Sequence, residues 1–318
     1  MIGATRTVPV TTPKIILDCD PGIDDALAIA LAVSHCDVLA VTTVGGNVGV
    51  EHTTRNAGSV LALLGRSDIP VHMGADDPLA GPVAKRAEEY HGLNGLGGAV
   101  VPEPDVPVAS HDAVGAIVEI VRANPGCWLV PTGPLTNIAL AVSAAPDLAH
   151  LLAGISWMGG STIGGNVTPC AEFNAWVDPE AAEVVLQFVS THTIRFVMAG
   201  LNVTHTVTVD EGVVNSWRGS IRGDAFAGLM ESYLAQYRTR YTLPGAAIHD
   251  ALAVVAVTHP ELVTIQRCYI GMDCSSGPNR GRTSVDDRPL LVPSPANTDV
   301  VISADSAAIA ALVSAAVR

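Results

Sequence analysis

A repeated alternation of short apolar segments with helix-forming segments constrains the fold more than any other feature of this sequence. Lys14–Asp18 and Val38–Val44 are rich in branched apolar residues, which is typical of buried strands. Asp24–Ser34 and Glu51–Leu64 have the length and composition of helices, and Ile69–Met73 repeats the strand pattern. Strands that alternate with helices in this way predict an α/β fold with a doubly wound, mostly parallel sheet flanked by helices.

The alternation is interrupted by residues 74–107, which are rich in glycine and proline, and then resumes. Connections of this length within compact domains are usually functional. The elements predicted after it are helix His111–Ala123, strand Cys127–Pro131, helix Pro134–Ala144, strand Ile155–Met158, helix Pro179–Phe188 and strand Ile194–Met198.

The C-terminal third begins with a segment that is predicted to be mainly helical, over residues 210–258. Short strands near 262–271 and 282–292 and a last helix near 304–317 complete the chain. Because no repeat or low-complexity linker divides the sequence, we expect residues 1–12 to form a flexible tail and residues 13–318 to form a single domain.

Polar residues follow most of the predicted strands at the same end. They are the acidic segment 18–25, Gly45–Asn47, Thr132–Asn137, Met158–Gly160 and Asn202. In open α/β sheets, ligands bind at the carboxyl ends of the strands. These residues therefore predict a ligand site at that edge of the sheet.

The acidic segment after the first strand carries Asp18, Asp20, Asp24 and Asp25 within eight residues. One aspartate at such a position is explained by a helix cap, but one cap does not need four acids. Carboxylates this close repel one another, so they require a cation or raised pKa values. Carboxylate oxygen ligands favour calcium or magnesium over zinc, and Cys19, which lies between Asp18 and Asp20, is expected in the core. For Asp18, a role in fixing the loop through hydrogen bonds stays open.

The charge balance disfavours two classes of partner. The formal net charge is −14, with 17 basic and 31 acidic residues, whereas nucleic acids and anionic membranes bind basic surfaces. No run of about 18 apolar residues is present, so no membrane span is expected. The six cysteines form no C-x-x-C pair and the first twelve residues contain no secretory signal, so we expect free thiols and a cytoplasmic location.

Nine sequence blocks carry a resemblance that spans nearly the whole chain. They are DCDPGIDDALA at 18–28, TTVGGN at 42–47, HGLNGLGG at 91–98, PTGPLTNIA at 131–139, MGG at 158–160, GNVTPCAEFN at 165–174, LNVTH at 201–205, HDALA at 249–253 and RGRTSVD at 280–286. In this order they resemble the inosine-uridine-preferring nucleoside hydrolase family. The resemblance implies one catalytic domain that cleaves ribonucleosides to ribose and a free purine or pyrimidine base.

The resemblance implies a calcium site built from oxygen atoms. Asp20, Asp25 and Asp250 would supply carboxylates and Thr132 its carbonyl oxygen, while the ribose 2′- and 3′-hydroxyls and one water would complete the shell. Calcium accepts 6–8 oxygen ligands in irregular geometry. Asp20 would also accept the proton of the attacking water.

The resemblance also assigns residues to the substrate. The ribose hydroxyls would be held by Asp24, Asn166, Glu172 and Asn174, with Asn47 near the attacking water and Met158 near the sugar ring. His249 would be the acid beside the leaving base, and His91 would lie in a mobile loop over it.

Two assignments keep a structural alternative. Tyr233, Tyr237 and Tyr241 share one helix face, which is typical of core packing, although Tyr237 is also a candidate wall residue for the base. Glu172 could instead cap a helix or pair with an arginine. Trp157 and Cys19 are expected in the core.

Three functional hypotheses remain at this point. The first is calcium-dependent nucleoside hydrolysis, with a role in purine salvage and a homodimeric or homotetrameric assembly implied by the resemblance. The second is a metal-dependent phosphohydrolase, which usually needs Lys or Arg on the phosphate, and the acidic blocks contain none. The third is a non-catalytic nucleoside-binding protein on the same scaffold, which would not need a general base.

Overall fold

A mostly parallel sheet lies at the centre of the computed structural model, which describes residues 12–81, 85–286, 288, 291–292 and 294–318. In chain order the strands are β1 Lys14–Cys19, β2 Asp37–Thr43, β3 Val71–Met73, β4 Trp128–Pro131, β5 Gly154–Met158, β6 Phe196–Ala199, β7 Thr208–Val209, β8 Ala246–Ala247, β9 Val263–Cys268, β10 Ile270–Met272, β11 Thr283–Val285 and β12 Thr298–Ala304. The helices are α1 Ile23–His35, α2 Val50–Leu64, α3 Glu88–His91, α4 Ala113–Ala123, α5 Thr136–Ala144, α6 Phe173–Val177, α7 Pro179–His192, α8 Leu201–Thr204, α9 Glu211–Asn215, α10 Ile221–Arg240, α11 Ala251–Thr258 and α12 Ser306–Val317.

The order of the eight strands described in the central sheet is β3-β2-β1-β4-β5-β6-β12-β9. Neighbouring strands are parallel except for β12 and β9, which pair antiparallel at one edge. The chain winds from β1 outward to β3 and then returns to β4 on the other side of β1. The winding direction therefore reverses between β1 and β4, which is the place where ligands bind in such sheets.

Helices cover both faces of the sheet. The alternation of side chains along β1 shows this, because Ile15 and Leu17 pack into a core with α1, α2, α11 and α12, whereas Ile16 packs into a core with α4, α5 and α7. All three side chains are fully buried. Burial on both faces explains why the strands are almost uniformly apolar.

The predicted fold class is confirmed, including the helical segment near the C-terminal third, which contains α10 and α11. The predicted tail, apart from Thr12, lies outside the described residues. Within the part of the chain described, no helix is long and apolar enough to cross a membrane. All six cysteines carry free thiols.

The prediction for the last strands was right for the short strand near 282–292, where β11 lies, but β12 was not predicted at all. The sequence TDVVISA contains the β-branched run Val300–Ile302, which is typical of a strand, but polar residues on both sides make this apolar run short. Its first four residues are buried because β12 lies between β6 and β9.

Candidate active site

A buried acidic cluster lies where the sheet reverses its winding, at the carboxyl ends of β1 and β4. Asp20 belongs to the turn after β1, Asp24 and Asp25 to the first turn of α1, and Asp250 directly precedes α11. All four side chains are buried. Carboxylate oxygens of Asp24, Asp25 and Asp250 lie within 4.8 Å of one another, which is close enough to share one metal ion.

Helix capping explains only part of this cluster. Asp25 accepts a hydrogen bond from the Gly22 N–H at 2.9 Å, which caps α1, but its other oxygen accepts from the Thr132 hydroxyl at 2.8 Å. The Asp250 carboxylate caps none of the described backbone amides of α11. The convergence of these acids from distant parts of the chain therefore has another cause than local helix geometry.

Two glycines leave room for Asp20. Its Oδ2 accepts a hydrogen bond from the Asn47 N–H at 2.7 Å, and the Asn47 side-chain amide donates to the Asp20 carbonyl at 3.1 Å. A Cβ atom at Gly46 would lie 2.1 Å from Asp20 Oδ2, and one at Gly133 would lie 2.6 Å from Asp20 Oδ1. Only glycine fits at these positions while the carboxylate stays in place.

Replacing Gly46 with alanine should therefore displace the Asp20 carboxylate. Because the family resemblance implies that Asp20 is the general base, we expect kcat to fall about 100-fold in this variant, the scale typical of a misplaced base. The matched control is Gly228→Ala in α10, where an added Cβ meets no atom within 4 Å and helix propensity favours alanine. The control should keep wild-type kcat and unfold at the same or a slightly higher temperature. Wild-type kcat in the Gly46 variant would contradict the proposed dependence on Asp20 placement.

Burial raises the pKa values of the clustered acids. The pKa of Asp24 is raised to about 7, first by burial and then by the charge of Asp25. The pKa values of Asp20, Asp25 and Asp250 are also raised, with burial as the first cause. Neighbouring like charges disfavour the ionised forms, and a bound cation would reverse this effect.

The basic side chains nearest to the cluster are already paired. Lys85 and Arg86 line the adjoining pocket, but Lys85 forms an ion pair with Glu89 at 2.7 Å and Arg86 with Asp76 at 2.9 Å. The buried carboxylates thus have no basic partner among the side chains described around the pocket.

The pocket beside the cluster contains most of the residues that the sequence predicted for a site. The predicted residues that line it are Asp24, Asn47, His91, Thr132, Met158, Asn166, Glu172, Asn174, Tyr237, His249 and Asp250. Asp20 and Asp25 do not line it and lie behind Asn47 and Thr132, to which they are hydrogen-bonded. Trp157 and Cys19 lie in the core, as expected.

One wall of the pocket is built on the N-terminus of α6. The Glu172 carboxylate caps this helix and accepts hydrogen bonds from the N–H groups of Asn174, Ala175 and Gly160 at 2.9–3.1 Å. The Asn174 amide donates to the Thr132 and Met158 carbonyls at 2.8 and 3.0 Å. The capping alternative for Glu172 is therefore realised, and the same carboxylate also faces the pocket.

The opposite wall is aromatic. His249 shares a hydrogen bond between its Nε2 and the Tyr237 hydroxyl at 2.6 Å, and its Nδ1 lies 2.7 Å from the Thr204 hydroxyl. The Tyr233 hydroxyl donates to Asp24 at 3.3 Å, and the Ile23 N–H donates to His91 Nδ1 at 3.1 Å. This wall offers hydrogen-bonding groups at the edge of an aromatic surface.

Burial keeps both histidines of this wall neutral. The pKa of His91 is lowered to about 4, and that of His249 to about 3, where the charges of His205 and His91 add to the effect of burial. At neutral pH the His249 ring is therefore a neutral hydrogen-bonding group.

Asn202 was predicted near the site but does not line the pocket, and three residues in or behind the pocket wall were not predicted. Asn202 donates to the Val301 carbonyl at 2.8 Å and thus ties α8 to β12. Tyr90 and Phe173 in the pocket lining and Thr204 behind His249 were not predicted from the sequence. Each of these residues lies in or beside one of the blocks that carry the family resemblance. Their position next to those blocks is the feature of the sequence that could have predicted them as site residues.

Comparison with known proteins agrees with this geometry. The inosine-uridine preferring nucleoside hydrolase family matches the chain over residues 15–311. A pyrimidine-specific ribonucleoside hydrolase of Shewanella woodyi is 40% identical over 303 residues, which cover 93% of this chain and 95% of that protein.

Solved structures of nucleoside hydrolases share the fold. A plant nucleoside hydrolase has a TM-score of 0.89 and 31% identity, with 96% of this chain and 99% of that chain covered. A purine-preferring ribonucleoside hydrolase from Gardnerella vaginalis has a TM-score of 0.88 and 31% identity, with 96% and 98% covered. The predicted family is confirmed, and with it the prediction that this chain is an enzyme: the protein belongs to the inosine-uridine preferring nucleoside hydrolase family.

Proposed function

We propose that the enzyme hydrolyses the N-glycosidic bond of ribonucleosides with the help of a bound Ca²⁺ ion and prefers pyrimidine nucleosides. The observation that carries the proposal is the convergence of buried acids from β1, α1 and the start of α11 beside a pocket with an aromatic wall. The pyrimidine preference is supported by the 40% identical relative that is named as pyrimidine-specific. The broader purine and pyrimidine acceptance implied by the sequence, and a role in purine salvage, stay predictions.

The donor set fits a hard cation. Carboxylate oxygens of Asp24, Asp25 and Asp250 already approach within 4.8 Å. Burial and the neighbouring like charges raise their pKa values, and a bound cation would stabilise the ionised forms that these effects disfavour. Asp20, Asp25, Asp250 and the Thr132 carbonyl would hold Ca²⁺, and Asp24, which faces the pocket, would hold a ribose hydroxyl. When bound, the ion would supply positive charge that lowers the pKa of a water and orients the ribose diol.

The protein's own groups would then perform three tasks. Asp20, fixed by the Asn47 N–H, accepts the proton of the attacking water. Glu172 has one acceptor site left after its three backbone hydrogen bonds, and this site suits a ribose hydroxyl, as do Asn166 and Asn174. The carboxylates around the ring stabilise the positive charge that develops on the sugar as the bond breaks.

The leaving base is assisted from the aromatic wall. The His249 ring is neutral at pH 7 and both of its nitrogens are hydrogen-bonded, so it assists the base through the Tyr237 hydroxyl, which lies 2.6 Å from its Nε2. His91 closes the pocket from α3, and Met158 packs under the sugar. Water attacks from the side opposite the base in one displacement, so we expect inversion at the anomeric carbon.

The two alternative functions are disfavoured. Phosphoryl transfer needs unpaired cations on the phosphate, whereas Lys85 and Arg86 at the pocket are paired with Glu89 and Asp76. A nucleoside-binding protein without catalysis would have no use for a buried carboxylate such as Asp20.

The test is a steady-state panel of natural nucleosides in phosphate-free buffer with Ca²⁺. Uridine and cytidine should release ribose, and their kcat/KM should exceed that of inosine at least about tenfold, which corresponds to one or two hydrogen bonds in the base pocket. Release that requires phosphate would indicate a phosphorylase and contradict the proposal. Equal or higher kcat/KM for inosine would contradict the pyrimidine preference alone.

Two further predictions accompany this proposal. A homodimer or homotetramer in solution and a cytoplasmic location follow from the family resemblance and the composition. Light scattering of the purified protein checks the first, and cell fractionation checks the second.

A further inference from the structure

A hairpin outside the central sheet, formed by β10 and β11, contacts the wall of the pocket that carries Glu172. The hairpin contains most of the block RGRTSVD at 280–286, which is one of the nine blocks that carry the family resemblance. This block has no role in the proposed mechanism. Thr283 in β11 is buried, whereas its neighbour Ser284 is exposed. Thr283 therefore points toward the body of the protein.

The Thr283 hydroxyl makes a reciprocal contact with the backbone of Ser161. It accepts a hydrogen bond from the Ser161 N–H at 2.8 Å and donates to the Ser161 carbonyl. Its methyl group packs on Gly160, because a Cβ atom built at Gly160 would lie 2.7 Å from Thr283 Cγ2. Gly160 has a φ of 68°, the left-handed region that glycine adopts most readily.

This contact continues into the pocket wall. The Gly160 N–H donates to Glu172 Oε2 at 2.9 Å, and Glu172 Oε1 accepts from the Asn174 N–H. The path from the hairpin to the pocket therefore runs through the hydrogen bonds between Thr283 and Ser161, along the backbone to Gly160, and through the Gly160 N–H to Glu172. The direction of the Gly160 N–H, and with it the Glu172 carboxylate, depends on where Thr283 holds Ser161.

The rest of the hairpin is anchored to the helices that follow the wall. Arg280 forms two hydrogen bonds to Glu180 in the first turn of α7, at 2.6 and 2.7 Å. Gly281, with a φ of 78°, lies against the backbone of α6, because an added Cβ there would be 2.6 Å from Trp176 Cα. The hairpin is therefore fixed independently of Thr283, and Thr283 transmits its position to Ser161.

We propose that Thr283 is a positioning residue for the sugar-binding wall, acting through Ser161, Gly160 and Glu172. The inference rests on the proposed role of Glu172 in binding a ribose hydroxyl. None of the described hydrogen bonds of Thr283 reaches the acidic cluster or the aromatic wall, so its loss should weaken nucleoside binding more than Ca²⁺ binding.

The test compares Thr283→Val, which keeps the shape and loses both hydrogen bonds, with Thr283→Ser, which keeps the hydroxyl. The valine variant should raise KM for uridine about tenfold or more, as expected when buried partners lose their hydrogen bonds, with a smaller change in kcat. The serine variant should stay within about threefold of wild type, and Ser284→Ala on the exposed side of β11 is the matched control.

Two readouts separate positioning from a general loss of stability. Hydrogen exchange of the amides in 159–174 should accelerate in Thr283→Val and stay unchanged in Ser284→Ala, and this result does not depend on turnover. In a Glu172→Gln background, Thr283→Val should add little further loss, because both changes act on the same contact.

Several outcomes would overturn the inference. They are wild-type KM in Thr283→Val, unchanged exchange in 159–174, or additive losses in the double variant. A wild-type enzyme that fails to release ribose from any nucleoside would instead refute the proposed function, and the exchange measurement would still decide whether Thr283 orders the wall.

Discussion

Replacing Asp20 with asparagine should lower kcat about 10³-fold or more, the range expected when a general base is removed from a preorganised polar site. Asparagine keeps the shape of the side chain but cannot accept the proton of the attacking water. The Asn47 N–H can still donate to the asparagine oxygen, so the loop after β1 should keep its structure. The loss therefore reports on chemistry and charge, and not on folding.

The same variant distinguishes two ways of arranging the acids around the cation. The three carboxylates that approach most closely include Asp24, whereas the proposed ligand set contains Asp20. Asp20→Asn should therefore weaken Ca²⁺ binding about 10-fold or more, while Asp24→Asn should mainly raise KM for the nucleoside. The reverse pattern would place Asp24 on the ion and contradict the assignment of Asp20.

The matched control is Asp37→Asn. Asp37 begins β2 at the amino end of the sheet, away from the site, and its side chain is exposed. Calorimetric titration with Ca²⁺ and steady-state kinetics on uridine should give wild-type values for this control. If Asp20→Asn also keeps wild-type kcat, Asp20 is not the base.

Elements with a strong local pattern could be predicted from the sequence. Each end of β1 and α1 was located to within one residue, because a uniformly apolar strand and an acidic first helical turn are both visible locally. β12 was missed because its apolar run, Val300–Ile302, is short and lies between polar residues, although the strand is inserted between β6 and β9. The five-residue helix α6 was missed because so short a helix shows too little periodicity.

The candidate site was predicted at the level of its residues but not of their contacts. The blocks identified Glu172 and His249, yet the sequence could not show that Glu172 caps α6 while it faces the pocket. It also could not show that Tyr237 meets His249, since this contact joins α10 to the turn that precedes α11. The sequence also does not show which of the four acids in the segment 18–25 lie nearest to a cation, because their distances depend on the conformation of the turn after β1.

Removing the cation should abolish turnover and also make the stability of the protein fall as the pH rises through neutrality. The pKa of Asp24 is about 7 in the folded protein, against 3.8 as its ordinary value. Between these values the folded state binds more protons than the unfolded state, so stability falls as pH rises through this range and levels off once Asp24 is ionised. His91 and His249 have lowered pKa values and oppose this trend below their ordinary value of 6.5. Above pH 6.5 this opposition fades, and Asp18 and Glu172, whose pKa values are also raised to about 7, add to the slope of Asp24.

The chelated protein should therefore lose thermal stability as the pH rises from 6.5 to 8. Saturating Ca²⁺ should make the slope shallower, because the positive charge favours the ionised form of Asp24, while Asp18 and Glu172 keep their raised pKa values. The ion should also raise Tm at pH 8 by at least about 5 °C. Binding at pH 6.5–7 should also release protons, which is measurable by calorimetry in buffers of different ionisation enthalpy. Asp24→Asn should likewise make the slope of the chelated protein shallower, whereas Asp37→Asn should keep it.

The two halves of this prediction can fail separately. Full turnover after chelation, with elemental analysis showing no metal, would mean that the acids act without a cation and hold protons instead. Loss of turnover without any Ca²⁺-dependent change in the pH slope would mean that the ion binds away from the raised carboxyls. An ion held by the cluster itself is supported only if three results occur together: chelation abolishes turnover, Ca²⁺ restores thermal stability, and Ca²⁺ binding releases protons. The three results report separately on catalysis, on folding and on the protonation of the same buried acids.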